Sequence, residues 1–109
     1  MNEAEWPEKR YEAVVADLSQ TPGVSRSQRK GFGSGSLTAG DKIFAMLVRD
    51  DLVVKLPRQR VAALIAEGKG QAFDPRHDGR LMREWLVVGS NDKADWLALA
   101  REARDFVAP

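Results

Sequence analysis

With 109 residues, 43% of them hydrophobic and 30% charged, the chain has the size and balance of one globular domain and no room for two. It contains no cysteine, which excludes disulfides, thiolate chemistry, Cys-ligated zinc and iron–sulfur clusters and fits a reducing compartment. The net charge of +1 does not by itself favour a nucleic-acid partner, but its distribution is uneven: −3 over residues 1–20, +5 over 21–69 and −1 over 70–109.

Glu5 to Ser19 reads as a helix, with Tyr11, Val14, Val15 and Leu18 at i, i+3, i+4 and i+7 forming one apolar stripe. Pro7 falls in the first turn, where its missing N–H costs nothing, and Thr21-Pro22-Gly23 stops the helix. Ser25 to Ser36 is polar, basic and rich in Gly and Ser, the composition of a loop, and leads into a first strand around Ser34 to Thr38. Ala39-Gly40-Asp41 supplies a tight turn.

Lys42 to Arg49 follows as a strand, with Ile43, Ala45 and Leu47 on one face and Phe44, Met46 and Val48 on the other. Both faces are apolar, which places it centrally in a sheet. Asp50-Asp51 makes a hairpin connection, and Leu52 to Leu56 returns with Lys55 opposite Leu52, Val54 and Leu56. Pro57 precedes a second helix, Arg58 to Glu67, whose buried side is Val61, Leu64 and Ile65 and which Gly68 ends. Gln71 to Phe73 suits a short edge strand, Asp74 to Gly79 a turn, and Leu81 to Val88 a last strand. A final helix from about Asp92 to Val107, capped by Ser90 or Asn91, carries Trp96, Leu99, Ala100, Ala103, Phe106 and Val107 on its apolar stripe. These elements predict an α+β domain: a single meandering, mainly antiparallel sheet of about five strands packed by three helices.

The N-terminus is acidic and lacks the basic start and apolar run of a secretory signal. The longest apolar run, Ile43 to Val48, is strand-sized rather than the ~20 residues of a membrane helix. A cytoplasmic protein with no membrane partner is the expectation.

Several constellations bear on chemistry. Lys30-Gly31-Phe32-Gly33-Ser34-Gly35 has the glycines of a phosphate cradle, but they lead into a strand instead of a helix, which favours a turn or bulge. Arg26, Arg29, Lys30, Arg58 and Arg60 are the candidate nucleic-acid or anion contacts; the alternative is a solvated surface whose long stems cover sheet edges. His77, the single histidine, is flanked by Asp74 and Asp78, an arrangement open to metal or general-base chemistry but also to an exposed turn. Lys55 stands alone among apolar residues, as a snorkelling edge lysine or as a base of lowered pKa. Trp85 and Trp96 are expected in the core, Trp6 as a core cap or partner contact, and Met46 and Met82 as gap-fillers. No catalytic constellation is assembled, so neither an enzyme nor a resident cofactor or metal is expected.

Lys30 to Gly35, Lys42 to Leu56, the strand Gly79-Arg80-Leu81-Met82-Arg83-Glu84-Trp85-Leu86-Val87-Val88 and the helix from Trp96 to Val107 together resemble, in order, the N-terminal domain of the TfoX/Sxy family, within the YjbR-like group. Gly31 stands where that family usually has Met before Phe-Gly. The resemblance implies a YjbR-like fold over residues 1–109 as one domain, and a regulatory rather than a catalytic role. The family's competence regulators carry a second, C-terminal domain; a chain ending at Pro109 is therefore expected to act as a stand-alone module. The leading expectation is a non-enzymatic binding or regulatory module working through protein partners or self-association. The alternatives are a nucleic-acid-associated transcription regulator using the basic 26–60 segment and, last, an uncharacterised enzyme.

Overall fold

The apolar stripe of the first helix becomes its buried side: Tyr11, Val14, Val15 and Leu18 of α1 (Pro7–Leu18) are each less than 10% exposed. The computed structural model describes residues 7–26, 35–74, 78–79, 81–89 and 95–108. Within them α1 is followed by β1 (Val24–Arg26), β2 (Leu37–Ala39), β3 (Lys42–Val48), β4 (Asp51–Lys55), α2 (Arg58–Ala66), β5 (Gln71–Phe73), β6 (Met82–Val88) and α3 (Trp96–Val107). The described strands form one sheet of order β1-β2-β3-β4-β6-β5 in which every pairing is antiparallel. The expected α+β class, single antiparallel sheet and three helices are all present, with six strands instead of five.

The added strand is β1, two of whose three residues fall in the stretch expected to be loop. Val24, Ser25 and Arg26 pair with Ala39, Thr38 and Leu37, so a segment with two exposed polar residues is held by the backbone ladder of its neighbour and by Val24 packed against the core. The β3–β4 hairpin turns through Arg49-Asp50, one residue earlier than Asp50-Asp51, since Val48 pairs with Asp51 and Arg49 takes a left-handed φ of 57°.

Strict alternation fails at one place in β3. The register passes from Leu37 opposite Ala45 to Thr38 opposite Ile43, which leaves Phe44 as the extra residue of a bulge. Phe44 consequently packs in the principal core beside Ala45, fully buried, and not with Met46 and Val48 on the other face.

That principal core lies on the helix-covered face. α3 crosses β2, β3 and β4, α1 packs against α3, and α2 lies over β6 and β5. Leu52, Val54, Leu56, Leu86 and Val88 are fully buried beneath them. Trp96 is in this core as expected, with its indole N–H donating to the Gly89 carbonyl at 3.4 Å. Trp85 is not. It points to the reverse face, half-buried with Met46, Val53 and Phe73, its ring centroid 6.5 Å from that of Phe73. Trp85, Leu86, Val87 and Val88 are all apolar, so strand alternation alone does not tell the two faces of β6 apart.

Helix ends follow local chemistry. α2 closes with both bonds of the Schellman motif, Lys69 N–H to the Leu64 carbonyl at 2.9 Å and Gly68 N–H to the Ile65 carbonyl at 3.0 Å, with Gly68 at φ 76°. α3 is capped by Asp95, whose carboxylate accepts from the Ala98 N–H at 3.1 Å; this replaces the Ser90 or Asn91 cap, and 90–94 lie outside the described residues. Two residues expected on buried stripes are exposed, Ile65 at 37% and Phe106 at 39%. No helix among the described residues is long and apolar enough to cross a membrane.

Candidate functional site

The basic segment does not fold into one face. Arg26 stands on β1, at one edge of the sheet, whereas Arg58 and Arg60 begin α2 over β6 and β5 at the other. β1 and β6 are four strand spacings apart, about 19 Å at ~4.8 Å each. Arg29 and Lys30 lie outside the described residues.

Two of the three candidate arginines that are described, Arg26 and Arg60, are also already engaged. Arg26 makes a two-pronged pair with Glu12 of α1, at 2.9 and 2.7 Å, and sits 5.9 Å over the Tyr11 ring. That bond holds the Glu12 carboxyl below its ordinary pKa and the guanidinium above its own. Arg60 does the same with Glu102 of α3, at 2.7 and 3.3 Å, and its pKa is raised by that bond. A planar guanidinium locked on a carboxylate has its fork occupied, and releasing it to a phosphate would leave the carboxylate facing an anion. Arg58 is exposed and forms no ion pair among the described residues.

His77 is outside the described residues, but its neighbour Asp74 is placed: the carboxylate accepts from the backbone N–H groups of Asp78 and Gly79 at 3.3 and 3.1 Å. Backbone donors four and five residues on thus occupy the carboxylate. No group of three or more metal-ligating side chains occurs among the described residues. Lys55 packs its ammonium 5.7 Å over the Trp85 ring, its cross-strand neighbour. It also lines an open recess of about 400 Å³ with Lys42, Asp41 and Glu84 beside Phe106 at the C-terminal end of α3. Two ammonium groups and two carboxylates balance there. Nothing in that recess selects one ligand charge.

A different surface combines exposure with a consistent chemistry. Between α2 and the first half of β6 runs a groove lined by Ile65, Leu81, Met82 and Trp85, with Arg58 and Arg83 among its walls. Ile65 is 37% exposed and Leu81 and Met82 43% each, all three of them large apolar residues on one surface. The groove lies where α2 packs on β6 and β5, the latter a short edge strand joined to β6 across an irregular register. Its volume of about 110 Å³ suits one bulky side chain, whereas small-molecule pockets run to roughly 300–1,000 Å³. Among the described residues no carboxylate lines it. Sequence alone does not reveal this surface, because helical periodicity puts Ile65 inside and strand periodicity makes Met82 a gap-filler. Only the relative placement of α2 and β6 shows that both stay open. Comparison of the chain with models of known protein families, with curated proteins and with solved structures finds no match.

Proposed function

We propose that the chain is a non-catalytic binding or regulatory module of the cytoplasm, related to the TfoX N-terminal domain family, that works through a protein partner or self-association. The supporting observation is the groove: Ile65, Leu81 and Met82 expose apolar surface together, where isolated exposed apolar residues would need no explanation. A surface retained for association is dispensable for folding.

The test is the pair of variants Leu81→Ser and Met82→Ser, measured by urea unfolding and light scattering. Each leaves stability within about 0.5 kcal/mol of the parent, as expected of an exposed position. A parent mass above the monomer that Leu81→Ser returns to the monomer assigns the groove to self-association, and a monomeric parent removes self-association. A loss of about 2 kcal/mol or more in both variants would make the groove a structural seam and overturn the reading.

A further inference from the structure

We propose that the groove between α2 and β6 receives an acidic peptide segment of another protein, one bulky apolar side chain seated on Ile65, Leu81 and Met82 and carboxylates on Arg58 and Arg83. This rests on the reading of the chain as a binding module and names the chemistry of its partner. Charge complementarity is what selects that partner.

Eight arginines lie among the described residues. Arg26, Arg60, Arg101 and Arg104 are ion-paired, Arg10 stacks 4.2 Å over Trp96, and Arg49 occupies the β3–β4 loop. Arg49, Arg58 and Arg83 form no ion pair among the described residues, and of these Arg58 and Arg83 both flank the groove. Arg58 is also the first residue of α2, a helix with no side-chain cap and no acidic residue in its first turn. Its free N–H groups add positive potential on the same side as the guanidinium. An apolar floor, cationic walls and, among the described residues, no carboxylate together define a site for an apolar anchor flanked by negative charge.

Size and sign exclude the obvious rivals. At about 110 Å³ the groove admits one side chain and not a cofactor-sized ligand. A second copy docked face to face through the same groove would set arginine against arginine with no carboxylate between them. Duplex nucleic acid gains little from two cations around an apolar centre, since its affinity grows with the number of phosphates neutralised.

The experiment is selection of a displayed library of random peptides on the immobilised full chain, followed by fluorescence anisotropy with the enriched peptides. The expected consensus has Asp or Glu on either side of a Leu, Ile, Phe or Trp. Affinity falls about tenfold for each of Arg58→Gln and Arg83→Gln, weakens with salt, and is lost in Leu81→Asp. Replacing the peptide's carboxylates by amides has the same effect as removing the arginines. Enriched peptides without acidic residues that still respond to Leu81→Asp would overturn the acidic partner while leaving the groove as a binding face. Peptides indifferent to every groove variant, a library without enrichment, or duplex DNA that displaces the peptides by contacting the same arginines would each overturn the proposal.

Discussion

Tyr11 is the chain's single tyrosine, so the ionisation of one buried phenol can be followed without any assignment. It is 2% exposed in α1, and its hydroxyl donates to the Gly35 carbonyl at 2.7 Å. Burial pushes its pKa from 10.0 up to about 12; the Arg26 guanidinium works against that rise and the Glu12 carboxylate adds to it. A raised phenol pKa means that the folded protein keeps a proton which the unfolded chain gives up. The stabilisation is therefore fully present below pH 10 and is lost as the pH climbs toward 12. A rise of that size is worth on the order of 2–3 kcal/mol over that window. Tyrosinate absorbance of the native protein should rise near pH 12, and that of the urea-unfolded chain near pH 10. In parallel, Tyr11→Phe costs about 1 kcal/mol at neutral pH, because the Gly35 carbonyl loses its donor, yet its stability falls less steeply with alkali than the parent's. Native and unfolded titrations that coincide near 10.0 would refute the burial of Tyr11 and, with it, the seating of α1 on the core.

Two further outcomes test the sheet. Gly70→Ala builds a Cβ 2.6 Å from Leu86 Cδ1 and 2.8 Å from the Val87 carbonyl oxygen; a backbone atom cannot yield cheaply, so a loss of about 1–3 kcal/mol is expected in urea unfolding, and an unchanged midpoint would mean that β5 does not approach β6 this closely. Phe44→Ala, at the bulge, costs about 3–5 kcal/mol as a fully buried ring. Trp85→Ala costs clearly less because its ring is only half-buried on the reverse face, and the opposite ranking would restore strict alternation along β3 and a core position for Trp85.

Much of the fold is legible in the sequence because its long elements carry unambiguous periods. The stripe of α1, the β3–β4 pair, α2 closed by Gly68 and the stripe of α3 follow from spacing that one element contains within itself. The features that are not legible depend on neighbours. β1 is three residues with two of them exposed, and it is a strand because β2 offers it a ladder. The Phe44 bulge is a matter of register between two strands, invisible in either alone. The cap at Asp95 is hidden by a run of plausible caps before it. Of the candidate site residues, Arg26, Arg58 and Arg60 are identifiable by type and position. Their engagement is not, since the carboxylates that meet Arg26 and Arg60 lie 14 and 42 residues away in the chain.

Those carboxylates change what the charge asymmetry means. The acidic first twenty residues and the basic middle look, in sequence, like a field prepared for an external anion. Folding instead sets Glu12 of α1 on Arg26 of β1, Asp17 of α1 on Arg101 of α3, and Glu102 of α3 on Arg60 of α2. Each pair is exposed and contributes only ~0.2–1 kcal/mol, too little to hold the fold, which the buried apolar core does. Their effect is on availability: the basic middle is partly neutralised from within by helices brought against it. Positive charge left unpaired then matters by location more than by number. Arg58 and Arg83 flank an exposed apolar groove that no carboxylate among the described residues lines, so unpaired positive charge and uncovered hydrophobic surface coincide there. A solvated surface needs only one of these features, and a site for an acidic, apolar-anchored segment needs both.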